Sequence, residues 1–299
     1  MQPIVHGRQR LSCRKQSHCH FLSTVPDTSS PSRLHLRDWP LPSGRALRGM
    51  AVLVHGLGEH SGRQATLARQ LVEAGFAVRS YDHHGHGASP GKRGDLLQPG
   101  QLLQDLGDII DGARQQWGAR TPLLLCGHSL GGLVAARWAS QQPPGTVQGL
   151  LLSSPALATH IPRRYHPLLH WLGRVAPHLN LPNGLPPEQL SHDPQVVSDY
   201  LADPLVHDRI SASLTAFLLR EGPATLQQAS RWQTPTLLLY ADPDAFVDAA
   251  GSRALASLAP PGVVQAHSWS DCGHELFHEL PAVRNAAFAC LHAWLDRHF

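Results

Sequence analysis

No stretch of the chain approaches the roughly 20 consecutive apolar residues that a membrane-crossing helix needs, so no transmembrane span is expected. Charge is also scarce: 16% of residues are charged against 42% hydrophobic, which is a globular profile and not a disordered one. The formal net charge is only +3. Arg8, Arg10, Arg14 and Lys15, set against Asp27, account for it and leave the remainder near neutral. A neutral body lacks the clustered basic charge that phosphate backbones require, so no nucleic-acid partner is expected. Cysteines are few and odd in number (Cys13, Cys19, Cys126, Cys272 and Cys290), with no C-x-x-C pair. That argues against a disulfide framework and for free thiols in a reducing, cytoplasmic setting. Cys126 closes an apolar run and reads as a small buried side chain. The basic N-terminus has no continuous apolar segment after it and does not read as a secretory leader.

What the chain does have is alternation, over a length of 299 residues that can bury a full core. Residues 1–32 are polar, rich in Ser and His, and end in Thr28-Ser29-Ser30-Pro31-Ser32; they read as a disordered tail. After Arg33, where Leu34 and Leu36 alternate with polar residues, short apolar runs at 50–54, 77–78, 123–126, 150–152, 236–240 and 263–264 read as strands. Helical patterns lie between them. Ser61 with Gln64 predicts a capping box ahead of Leu67 and Leu71, with Gly75 at the stop. Leu102, Leu106, Ile109, Ile110 and Ala113 repeat the helical spacing, as do Val283, Ala287, Cys290, Leu291 and Trp294. This order predicts a mostly parallel sheet with helices on both faces. Residues 156–232 break the rhythm with many prolines, among them Pro162, Pro177, Pro204 and Pro223, and no convincing buried strand. Short helices are expected there, one around Leu168, Leu169, Leu172, Val175 and Leu179. The segment reads as a helical cap inserted between core parts 33–155 and 233–299.

Gly127-His128-Ser129-Leu130-Gly131 matches G-x-S-x-G, and its context gives the match meaning. An apolar strand runs straight into it and a helical stretch, 133–139, follows. A strand-to-helix turn of this kind lifts a serine hydroxyl above the sheet edge, at the positive end of the next helix. It marks an α/β-hydrolase nucleophile, and Ser129 is the candidate. Such a serine needs a base, and the base needs a carboxylate to orient it, in the chain order Ser, acid, His. Ala241-Asp242-Pro243-Asp244 and Ser270-Asp271-Cys272-Gly273-His274 both follow predicted strand ends. His274 is the candidate base. Of the acids, Asp242 is held extended by the proline after it, whereas Asp244 lies past the turn and is preferred. Asp248 reads as a cap for the following helix.

Val54-His55-Gly56-Leu57-Gly58 follows the first long apolar strand. It predicts an oxyanion hole built from the N–H groups of Leu57 and Leu130. His274-Glu275-Leu276-Phe277-His278 also matches H-E-x-x-H. A zinc site on His274 and His278 would need both on one helix face and a third ligand downstream. Downstream acids are only Glu279 and Asp296, and Pro281 interrupts, so no metal and no cofactor is expected. His83, His84 and His86 read as part of a Gly-rich surface turn.

These segments resemble the monoacylglycerol lipases and lysophospholipases, grouped with the serine-aminopeptidase-like hydrolases. The likeness runs over most of residues 33–299. It is carried by the stretches 55–63 (HGLGEHSGR), 81–89 (YDHHGHGAS), 127–132, Asp244 with Val247, and 274–281; in the insertion, 190–194 and 202–207 resemble bacterial members. Ala241 stands where members often have Gly. The resemblance supports Asp244 as the triad acid. It implies hydrolysis of a small-molecule ester of a single fatty acyl chain, with the cap forming an apolar tunnel. A peptidase or an acyltransferase would use the same triad. Leu168, Leu169, Trp171, Leu172 and Val175 are left with three readings: pocket lining, transient docking on a membrane surface, or packing onto the core.

Overall fold

The computed structural model describes residues 34–299; the predicted tail, 1–32, lies outside the described residues. The first half runs β1 (Leu36–Trp39), β2 (Gly49–Val54), α1 (Ala65–Glu73), β3 (Phe76–Tyr81), α2 (Gln101–Trp117), β4 (Leu123–His128), α3 (Leu130–Ala139) and β5 (Gly149–Ser153). Next come α4 (His166–Val175), β6 (Asn180–Pro182), α5 (Pro194–Ala202), β7 (Arg209–Ser211) and α6 (Ala212–Leu226). The chain closes with β8 (Thr236–Ala241), α7 (Ala250–Leu258), β9 (Val264–Trp269) and α8 (Pro281–His298).

Seven strands form one sheet in the order β1-β3-β2-β4-β5-β8-β9. All neighbours are parallel except β1, which pairs antiparallel with β3. β2, β3, β5 and β8 are buried along their whole length, which is why β2, β5 and β8 read as apolar runs, while β3 is interrupted by the buried Arg79 and Ser80. The edge strands β1 and β9 are only partly buried and carry polar residues. Successive side chains of β2 serve opposite faces, as the two-residue period of a strand requires. Met50, Val52 and Val54 join a core with Leu106, Ile110, Leu133, Phe217 and Leu255 from α2, α3, α6 and α7. Ala51 and Leu53 join the other core, with Leu67, Leu71, Leu291 and Trp294 from α1 and α8. Each fully buried Leu contributes about 1.5–3 kcal/mol to this sandwich.

Three local expectations are corrected. Ser61 does not cap α1. Ser61–Gln64 form a 3-10 turn whose cap is His60, with Nδ1 accepting the N–H of Gly62. The backbone N–H of Ser61 is taken instead by Oδ1 of Asp82 at 2.7 Å. Secondly, the segment between β5 and β8 is not made of short helices alone; it has no wholly buried strand, as expected, but β6 and β7 pair antiparallel over three residues each. They are largely exposed and β6 ends in Pro182, so no apolar run marks them. It also contains a long helix, α6, which is capped by the Ser211 hydroxyl on the N–H of Leu214 and runs through Pro223. Thirdly, His83 and His86 are fully buried, not part of a surface turn.

Candidate active site

Because β2, β4, β8 and β9 run parallel, the loops that follow them gather at one edge of the sheet. Those loops carry His55 to Gly58, Ser129, Asp244 and His274. Ser129 stands between β4 and α3 with φ 54° and ψ −120°, a conformation costly for any residue with a side chain. Its N–H donates to Ser153 O at 3.0 Å, and its carbonyl accepts from Leu133 at 3.1 Å and Ala156 at 2.9 Å. A Cβ on Gly127 would run into the backbone of Gly131 and Gly132, and one on Gly131 into the carbonyls of Val54 and His55. Glycine at both positions lets the start of α3, including buried Leu130, seat against the end of β2. Leu57, in the loop after β2, is half-buried and packs on the core. Within that loop Gly56 lies on Ser129, and its N–H donates to Oε1 of Glu59 at 2.5 Å.

The Nδ1 of His274 lies 2.7 Å from Oδ2 of Asp244, and both side chains are almost fully buried. Asp244 Oδ1 accepts the N–H groups of Phe246 (2.8 Å) and Val247 (3.2 Å). Burial works to raise the Asp244 pKa, but the charge and hydrogen bond of His274 and those two N–H groups outweigh it, and the carboxyl sits below its ordinary value. The His274 ring stacks on Phe246, with centroids 4.7 Å apart and planes 9° apart, and also meets the His128 ring, tilted by 53°, at 4.7 Å. His128 is the chain neighbour of Ser129; burial, then the proximity of His274, pushes its imidazole down to about 4. The Nε2 of His274 is buried and makes no hydrogen bond. Leu190 O holds the N–H of Glu275 at 2.9 Å, and Glu279 Oε1 holds that of Gly273 at 2.6 Å.

Asp242 lies apart from this pair, with its carboxylate on Arg253. Asp248 Oδ1 accepts the N–H of Ala250, the first residue of α7. The H-E-x-x-H stretch is a loop ending in a 3-10 turn, Leu276–His278, so His274 and His278 share no helix face. His278 Nδ1 instead meets Glu275 at 3.0 Å. Among the described residues no group of three or more His, Cys, Asp or Glu is arranged to hold a metal ion.

Four imidazoles pack beside the 55–58 loop. His55 and His83 lie 4.4 Å apart, and His86 meets His207 from the β5–β8 insertion at 4.6 Å. The Nε2 of His55 accepts the N–H of His83 at 2.9 Å, and its Nδ1 faces Gly56 O at 2.8 Å. Nδ1 therefore carries the proton and the ring is neutral. Burial lowers the pKa of His55, His83 and His86, and burial with the neighbouring Arg93 takes His207 down to about 4.

Glu59, Arg63, Phe246, Glu275 and Glu279 also line or brace this edge, and no motif in the sequence assigns them a role there. The one available signal was Glu59 and Arg63 standing four apart, opposite charges in a stretch whose other residues are buried or small.

A parallel sheet with a strained serine at the end of its central strand and an Asp–His pair at the same edge defines an α/β-hydrolase. The pattern of the serine aminopeptidase (S33) family matches residues 45–281. The chain is 32% identical over 237 residues to a monoacylglycerol lipase of Mycolicibacterium smegmatis, covering 78% of this chain and 83% of that one. It is 30% identical over 268 residues to human monoglyceride lipase, covering 88% of this chain and 87% of that protein. The crystal structure of a Paleococcus ferrophilus monoacylglycerol lipase superposes with a TM-score of 0.79 at 37% identity, over 89% of this chain and 99% of that one. The chain belongs to this serine-aminopeptidase-like family of α/β-hydrolases, and it is a serine ester hydrolase.

Proposed function

We propose that the enzyme hydrolyses esters of a single fatty acyl chain, of the monoacylglycerol or lysophospholipid kind. Ser129 Oγ attacks the ester carbonyl while His274 Nε2 takes its proton and Asp244 holds the ring. The N–H groups of Leu57 and Leu130 stabilise the tetrahedral oxyanion. The His274 proton then passes to the leaving alcohol, and water, activated by the same base, releases the fatty acid from the acyl-enzyme. The observation that carries this reading is the hydrogen bond from His274 to Asp244 at the sheet edge where Ser129 occupies its strained turn. The substrate class follows the names of the relatives.

In this reading 33–155 and 233–299 form the catalytic core and 156–232 a cap. α4 of that cap exposes Leu168 (52%), Trp171 (56%) and Val175 (56%), beside Arg163, Arg164 and Arg174. An apolar, basic helix of this kind suits brief contact with a lipid surface, from which a substrate with one acyl chain would be drawn. Among the described residues no helix is long and apolar enough to cross a membrane. The enzyme is proposed to be cytoplasmic, with peripheral contact to the membrane through this helix.

A hydrolysis panel of monoacylglycerols, lysophospholipids, short esters and aminoacyl amides, run with wild type and Ser129→Ala, tests the proposal. The glyceryl or lysophospholipid esters should be preferred, and the variant should lose about a million-fold in turnover. Near-wild-type esterase activity in Ser129→Ala ends the mechanism; preference for aminoacyl amides replaces the substrate class with a peptidase's.

A further inference from the structure

One side chain outside the triad ties together the parts that hydrolysis needs in register. Arg63, in the 3-10 turn before α1, is only 10% exposed. Its Nη2 lies 2.5 Å from Oε2 of Glu275, and its Nε forms an ion pair with Oε2 of Glu59 at 3.3 Å, without the alignment of a hydrogen bond. Its guanidinium carbon stands 4.8 Å from the ring centre of Tyr200 in α5. Each carboxylate leads back to the chemistry. Glu59 holds the N–H of Gly56, which lies on Ser129. Glu275 follows His274 directly, and its own N–H is fixed on Leu190. Both carboxylates are nearly fully buried, so without the guanidinium two desolvated negative charges would face each other and the loops carrying them would part.

We propose that Arg63 is a positioning residue for the hydrolysis, bridging Glu59 and Glu275 so that the 55–58 loop and His274 keep a fixed separation on either side of Ser129. This rests on the triad reading given above. Arg63 acts on both through other residues, so its loss should slow acylation and deacylation whatever alcohol departs.

The test compares the full chain with Arg63→Gln, Arg63→Lys and Ser129→Ala, using p-nitrophenyl butyrate and a monoacylglycerol. Rates of the wild type and the Arg63 variants are normalised to the serine labelled at saturation by a fluorophosphonate, and that of Ser129→Ala to total protein. Arg63→Gln should lower kcat on both esters by on the order of 10- to 100-fold, with KM changed less than about threefold. Arg63→Lys, which keeps the charge but loses the planar fork, should fall between the two. A kcat within threefold of wild type on p-nitrophenyl butyrate, or a loss confined to the glyceryl ester, overturns the proposal. If Arg63→Gln does not fold, Arg63→Lys decides at the same threefold threshold. Activity retained by Ser129→Ala sinks the triad reading itself. An inactive Ser129→Ala beside fully active Arg63 variants sinks only the role of Arg63.

Discussion

Gly56 rests against Ser129 so closely that a Cβ on the glycine would stand 3.1 Å from the serine Cβ, and 3.0 Å from the Glu59 oxygen that holds its own amide. Gly56→Ala must therefore shift the loop or the serine by a few tenths of an ångström. The expected result is a folded protein with kcat lowered by on the order of 10-fold, since a full 1 Å misplacement of reacting groups costs about 100-fold. Circular dichroism beside esterase kinetics checks it; full turnover in a folded variant would show that the loop has room.

The two candidate acids separate in the same assay. Asp244→Asn keeps an oxygen for the N–H groups of Phe246 and Val247 but removes the charge facing His274, and turnover should drop by about 10,000-fold. Asp242→Asn touches only its pairing with the half-exposed Arg253 and should leave turnover within about twofold, as exposed ion pairs contribute little.

Asp105 makes a separate prediction about stability. It is buried in α2 with one oxygen on Gln101 and the other unpartnered, and burial pushes its carboxyl up to about 6. The unfolded value lies near 3.9. The folded state therefore binds the extra proton between those two values, and stability falls as pH rises from about 4 to 6. Asp105→Asn should stabilise at pH 8 by on the order of 1–3 kcal/mol and have little effect at pH 4. Urea denaturation at the two pH values measures the difference; an equal effect at both refutes the buried-charge account.

The histidine cluster has the opposite sign. His207 takes up its proton near 6.5 when unfolded but only at about 4 when folded. Its contribution is complete above 6.5 and is lost as pH falls through that window. His207→Gln should flatten the decline in urea midpoint between pH 7 and pH 5. A slope unchanged from wild type would assign the decline elsewhere.

How much of this was legible follows from what covers each segment. The central strands read clearly because both faces are roofed by helices, which forces an apolar residue at nearly every position. The turns carrying Ser129, Asp244 and His274 are visible as polar residues set directly after such runs. The cap of α1 was misread because Asp82, distant in sequence, captures the amide of Ser61. His83 and His86 read as surface for a similar reason: Gly-rich polar sequence looks like surface, but His55 and Tyr81 pack on His83, and the return of the chain at His207 packs on His86. α6 was hidden by Pro223, although a helix can run through a proline when its packed face is long enough to hold it. The Arg63 bridge was unreadable because one of its two carboxylates, Glu275, lies 212 residues away in the chain and meets Arg63 only in the fold.

The N–H of His207 donates to Gly58 O at 2.9 Å, and Gly58 has no space for a Cβ against the His207 carbonyl. The β5–β8 segment and the loop beside Ser129 are thus stitched backbone to backbone, independently of which side chains either one carries. Exchanging the β5–β8 segment as a cassette would also strip the loop of this lateral support. A graft that keeps residues 203–208 in place preserves the stitch; one that begins or ends inside them trades specificity for turnover.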